Sequence, residues 1–161
     1  MPDDGFALVS FREDGEWFCS LLPDNAVDDL DACIAVLRQQ PGAALLFVNV
    51  EDEFFIALRQ GTGAEVRVLL SDRTAAADYD VALQALGMLG ESPPDDDDTD
   101  DADEVWPAGD LSIFADLGLD ERELDAILDD LDLYADEMIA AIAGRIGFAD
   151  AYARLIDTLA G

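Results

Sequence analysis

The chain has 161 residues, 51% of them apolar, which suffices for the core of one ordinary domain or of a domain with a small helical appendage. Its 38 acidic and 8 basic residues leave a net charge of −30; every basic residue is Arg, and there is no His. Such a surface repels phosphate backbones and anionic lipid, because duplex binding relies on Lys and Arg displacing counterions, and a chain without His has no Ser-His-Asp or Cys-His catalysis and no imidazole metal ligand.

The first residues, MPDDGFALVSF, lack the basic start and long apolar stretch of a signal peptide, and no apolar run approaches the roughly 20 residues of a membrane helix. The protein is therefore expected to be cytoplasmic. FALVSFRED and EWFCSLLP are β-rich runs joined around Asp14-Gly15, a hairpin signal. DNAVDDLDACIAVLRQQPG follows as a helix: Val27, Leu30, Ile34 and Leu37 recur at spacings of three and four, Asp24 or Asn25 can cap its start, and Pro41-Gly42 stops it. Cys19 and Cys33 lie far apart with no C-x-x-C spacing and read as two buried thiols, with a disulfide as the alternative.

Three further strands are expected in ALLFVNV, EFFIALRQ and EVRVLLS, with turns at Glu51-Asp52 and Gly61-Thr62-Gly63. In the last of them Val66, Val68 and Leu70 alternate with Glu65 and Arg67. A second helix is predicted at about 74–89. The fold class is thus α+β: an antiparallel sheet of about five strands with two helices on one face, in the order β-β-α-β-β-β-α. Roadblock and profilin-like modules share that order of elements, an analogy of topology that does not carry function.

Residues 93–105 carry eight acids and no base. An EF-hand begun at Asp96 finds Asp98 and Asp100, but its sixth position is Asp101 rather than Gly and its twelfth is Pro107 rather than Glu, so the loop cannot wrap a calcium ion. Blocks of like charge repel themselves and Pro93-Pro94 favours an extended lead-in, so the run reads as a solvated tether between an α+β domain (1–92) and a helical unit (106–161); attraction to a basic partner is the alternative.

In the helical unit, LSIFADLGL makes a short helical turn ending near Gly118. Asp120 caps the next helix with Glu123 three residues on, a capping box, and Leu119 can meet Leu124 as a hydrophobic staple. Leu124, Ile127, Leu128 and Leu131 form one face; Met138, Ile142 and Ile146 mark a second helix ended by Gly147, and Tyr152, Leu155, Ile156 and Leu159 a third. So few short helices seldom supply a core alone, and the unit is expected to dock on the first domain or on another chain. Trp106-Pro107 is a candidate anchor.

No carboxylate pair is marked out for acid–base work, no serine has a base to activate it, and neither G-x-x-x-x-G-K-[ST] nor G-x-G-x-x-G occurs. No catalytic residue, cofactor or metal is expected. Two features remain as candidate partner contacts. Leu111, Ile113, Phe114, Leu117 and Leu119 crowd large apolar side chains into nine positions, more than one side of so short a helix can bury; the segment is either enclosed between the two units or offered to a partner. Asp129, Asp130, Asp132, Asp136 and Glu137 cluster around a turn between helices, as helix caps and wet surface or as a partner or metal patch.

AGDLSIFADLGL (108–119) followed by ELDAILDDLDLYADEMIAAIAGRIGF (123–148) resembles the small actinobacterial tRNA adenosine deaminase-associated proteins. VNVEDEFFIALR (48–59), LLSDRTAA (69–76) and the acidic run agree in order and kind, so the resemblance spans nearly the whole chain and is most specific at 108–148. Family members often have Pro where Ala135 stands; Ala is acceptable in a first turn, so the helix start is kept. The resemblance implies a setting beside the tRNA-editing deaminase but brings no catalytic residue. The chain lacks the H-x-E and P-C-x-x-C signature of the zinc deaminases themselves. The expectation is a non-catalytic acidic partner or regulator of that enzyme, touching a basic surface through Leu111, Ile113, Phe114, Leu117, Asp129, Asp130 and Asp132. The alternatives are a free-standing acidic interaction module with another client or self-assembly, and an enzyme or metal-binding protein of unknown type.

Overall fold

The structure is a computed structural model, and it describes residues 6–22, 29–39, 44–50, 53–60, 66–73, 75, 79–90, 107–130 and 132–160. The acidic run, Trp106, Leu131 and the helix-start candidates Asp24, Asn25 and Val27 lie outside the described residues.

Strands β1 (Phe6–Glu13) and β2 (Glu16–Leu21) pair antiparallel across Asp14 and Gly15, with φ of 54° and 84°. Positive φ at both central residues is what a type I′ turn requires, and Asp-Gly supplies it with little strain. β3 (Leu45–Val50), β4 (Phe54–Gln60) and β5 (Val66–Leu70) follow on the other side of β1. The fold is α+β as expected, and with β6 (Ala108–Gly109) the sheet has six strands among the described residues, all antiparallel, in the order β2-β1-β3-β4-β5-β6. The sixth, Ala108–Gly109, pairs with Leu69 and Leu70 of β5, so residues from beyond the acidic run complete the sheet.

Helix α1 (Leu30–Arg38) starts later than the periodicity suggested. Its cap is Asp29, whose carboxylate accepts from the backbone N–H of Asp31 (3.0 Å) and Ala32 (3.4 Å). Helix α2 (Asp80–Leu89) likewise begins about six residues after its expected start and ends at left-handed Gly90. Both helices cover one face. Leu30, Cys33 and Leu37 of α1 and Val81, Ala82, Ala85 and Leu86 of α2 bury against Val9, Val48, Ile56, Val68 and Leu70.

The opposite face is equally dry. Leu8, Phe47, Phe55, Ala57 and Leu69 pack under helices α3 (Glu121–Leu128), α4 (Ala135–Ile146) and α5 (Ala149–Ala160) and the segment leading to them. Every residue of β3 is buried, as is every residue of β4 except its last, Gln60. A strand wet on one face alternates, whereas one covered on both reads as a continuous apolar run, which is how LLFV and FFIAL are spelled. At about 1.5–3 kcal/mol for each fully buried large apolar side chain, the second layer contributes to stability on the same scale as the first.

Candidate functional site

The segment 107–119 is where the chain returns to the sheet, and arginines hold it there. Arg59 near the end of β4 is only 8% exposed. Its guanidinium forks onto the Asp116 carboxylate at 2.5 and 2.7 Å and donates to the Ile113 carbonyl at 2.6 Å. Arg67 on β5 donates to Asp110 at 2.6 Å and to the Ser112 carbonyl at 2.9 Å; Arg73, just past the strand, reaches the Pro107 carbonyl at 3.0 Å. Planar guanidinium forks fix orientation as well as distance, so these contacts set the register of the returning segment.

The carboxyls respond accordingly. The hydrogen bonds from Arg59 hold Asp116 below the ordinary carboxylate range. Burial by itself would raise Asp110, but hydrogen bonds from Arg67 and Ser112 together outweigh it and leave this carboxyl lowered too. Both carboxylates are engaged by the arginines that hold the segment.

Gly109 lies in the same return. Its φ of +106° and the position of Val68 are both incompatible with a side chain, for a Cβ there would fall 2.2 Å from the Val68 carbonyl oxygen. Phe114 follows, wholly buried and stacked on Phe47 with ring centroids 5.7 Å apart. The expected partner-contact residues therefore separate. Ile113 and Phe114 are fully buried in the second-face core, and Leu111 and Leu117 are half-buried against it. The crowding of 111–119 is met by enclosure, because the sheet supplies the second apolar surface that the short segment needed.

The acidic candidates remain outside. Asp129, Asp130 and Asp132 are exposed at the turn between α3 and α4. Asp130 organises that turn, its carboxylate accepting from the Asp132 N–H at 3.0 Å and its carbonyl from the Leu133 N–H at 3.2 Å. Tyr134, next in line, is 66% exposed, the most open large apolar side chain among the described residues. The expected capping box at α3 is half formed. Asp120 accepts from the Glu123 N–H at 2.9 Å, while the Glu123 carboxylate turns to Arg145 of α4 and ties the two helices together. Leu119 and Leu124 are both buried, as the staple requires.

Cys33 is buried and Cys19 half-buried; they lie on opposite sides of the sheet and are not joined in a disulfide. Burial, with help from the Asp29 charge, pushes the Cys33 thiol up to about 12, and burial also raises Cys19. Among the described residues no group of three or more His, Cys, Asp or Glu side chains is arranged to hold a metal ion, and no helix is long and apolar enough to cross a membrane.

The arginine contacts were not singled out from sequence, although a signal existed. Arg59 and Arg67 interrupt otherwise apolar strands, and an arginine in a buried strand requires a partner for its charge.

No solved structure matches the chain significantly. The chain is 42% identical over 158 residues to Protein Rv3753c of Mycobacterium tuberculosis, covering 97% of this chain and 90% of that protein. Residues 5–149 match the family model described as Rv3753c-like tRNA adenosine deaminase-associated protein. With the match running from β1 to the start of α5, and so through both layers of the fold, the chain belongs to the Rv3753c-like tRNA adenosine deaminase-associated protein family.

Proposed function

We propose that the protein is a non-catalytic acidic partner of a tRNA adenosine deaminase, acting by protein–protein contact with a basic surface of that enzyme. The observation that carries this reading is the direction in which charge is turned. Arg59, Arg67 and Arg73 are spent on holding residues 107–116, and Arg145 on joining α4 to α3, whereas Asp129, Asp130 and Asp132 face solvent. What the chain shows a partner is predominantly negative, with exposed Arg12, Arg38, Arg122 and Arg154 set among many more carboxylates. An enzyme that handles tRNA needs a cationic groove for the phosphates. A −30 protein is attracted to such a groove, and in occupying it would shield the enzyme, keep it soluble or compete with RNA.

The test is to titrate the purified chain against the deaminase encoded by the same organism and to follow both binding and tRNA editing over a range of salt. Binding that weakens steeply with salt, together with a change in editing rate, is the expected result. An affinity indifferent to salt, or editing indifferent to the chain, removes the proposal.

A second reading, self-assembly, is favoured by one feature. β2 is an edge of the sheet, six residues long, and carries Phe18 and Leu21 at 41% and 39% exposure. An open edge of that length can pair with another strand, although like charge on both copies opposes it. Light scattering distinguishes the readings: a stable homo-oligomer unaffected by added deaminase supports the second.

A further inference from the structure

Helices α4 and α5 are joined through Gly147 and Phe148 alone, and the helical hairpin they form carries a groove on its solvent side. Its floor is apolar, made by Ala140, Ala149, Ala153 and Ile156, and its rim carries carboxylates that include Glu137 and Asp157. Among the described residues no basic side chain lines it. Glu137, Ala140, Ala149, Ala153 and Asp157 are all exposed. The groove has a volume of about 410 Å³ and begins beside the first turn of α4, three residues after Asp132 of the acidic turn.

We infer that this groove is a docking site for a cationic amphipathic helix of the partner protein. Two helices presenting alanines allow a third to approach closely, so that its apolar stripe lies between them, the helix-in-groove mode of recognition. The rim decides what flanks that stripe. Carboxylates on the rim with no cation among them match Arg or Lys on the margins of the incoming helix and repel acidic ones. A small metabolite is poorly served, because the polar groups of the lining are carboxylates of one sign and the Tyr152 hydroxyl, which donates to the Asp136 carbonyl at 2.9 Å. A second copy of the chain would bring a further −30 against the same carboxylates. The inference rests on the reading of the chain as an acidic partner and names the surface and the partner chemistry.

The experiment uses the full chain and a synthetic helical peptide with Leu at i, i+3, i+4 and i+7 and Arg on the flanking positions. A peptide of identical composition with the periodicity scrambled is the control. Anisotropy titration should show the amphipathic peptide binding about tenfold or more tightly than the scrambled one. Ala153→Glu, at an exposed helical position, keeps the carboxylate surface and spoils the floor; it should weaken binding about tenfold with an unchanged circular dichroism spectrum. Glu137→Gln with Asp157→Asn should weaken binding and flatten its salt dependence. Should Ala153→Glu fail to fold, Ala140→Gln makes the same test on α4. Equal affinity for the scrambled peptide, or full affinity in a folded Ala153→Glu chain, overturns the inference, as does light scattering that shows a dimer displaced by the peptide.

The deaminase itself separates the two levels. If it binds Ala153→Glu as tightly as the parent chain, the groove is wrong and the acidic-partner reading stands. If it binds neither while the amphipathic peptide still occupies the groove, the groove stands and the identity of the partner falls.

Discussion

The two faces of the sheet are closed by different means. The first is covered by α1 and α2, which lie in the chain between the strands they protect, and its core cluster is apolar throughout. The second is covered by residues that return after the acidic run, and there apolar packing is joined by Arg59, Arg67 and Arg73 reaching to residues 107–116. Apolar burial is strong but indifferent to direction, whereas a guanidinium fork accepts only one arrangement of its carboxylate. A helix joined closely to a neighbouring strand, as α1 is to β3 and α2 to β5, needs little further instruction about where to lie. A unit arriving from far along the chain could slide on an apolar face, and the arginines remove that freedom.

The largest effect should come from the second face itself. Phe114→Ala removes a wholly buried ring stacked on Phe47 and should cost about 3–5 kcal/mol in urea denaturation. Leu37→Ala on the first face, also wholly buried, should cost about 2–5 kcal/mol. If Leu37→Ala unfolds the chain while Phe114→Ala leaves stability within experimental error, the second layer is an ornament and the comparison collapses.

Next comes Gly109→Ala. Positive φ and the clash with the Val68 carbonyl would have to be relieved by moving β6 from β5, and a loss of about 2–3 kcal/mol is expected. Hydrogen exchange should show the Asp110 amide, which donates to the Val68 carbonyl, losing protection; unaltered protection would mean that β6 does not pair in solution.

Arg59→Met tests direction against burial. It leaves the Ile113 carbonyl without its donor, but Asp116 is 62% exposed in its side chain and can return to water, so about 2 kcal/mol is expected, less than the roughly 3–5 for breaking a fully buried pair. Arg59→Lys should not restore the loss, since an ammonium cannot fork. Recovery with Lys would reduce the clamp to a point charge.

A smaller effect depends on pH. Asp110 and Asp116 sit below their ordinary range when folded, so their contribution is complete above their unfolded values near pH 4 and disappears as pH falls through the lowered folded ones. The stability gap between the parent chain and Asp116→Asn should therefore be full at neutral pH and narrow below about pH 4. A gap constant from pH 7 to 3 would falsify the ion pair as its source.

The smallest effect is general. Screening acts within about 8–10 Å at moderate ionic strength and should relieve the self-repulsion of a −30 chain, raising Tm by about 2–4 °C for each kcal/mol relieved. A flat or falling Tm would show that salt weakens the clamps more than it relieves the surface.

Local grammar was readable where neighbours in the chain decide. Asp14-Gly15 makes its hairpin because those residue types tolerate positive φ; Val66, Val68 and Leu70 share a face because strands have a period of two; Asp120 caps α3 because its carboxylate reaches the N–H three residues on. Helix α1 takes Asp29 as its cap, one of several acidic residues in a row that compete for that place, and α2 begins after Tyr79, which makes no side-chain cap bond that the sequence could have signalled. Of the candidate contact residues, the aspartates at 129, 130 and 132 stand outside, while Ile113 and Phe114 are enclosed.

By itself, then, the sequence determined the order of strands and helices, the net charge, the want of imidazole and the exposed acidic turn, all of which follow from residue type and short spacing. Tertiary structure alone decided that the sheet is covered twice, that Ala108–Gly109 completes it, and that Arg59 meets Asp116 and Arg67 meets Asp110. Those partners lie 57 and 43 residues apart, and at such separations many carboxylates compete for each arginine. Only the packing of the intervening chain brings one of them within reach.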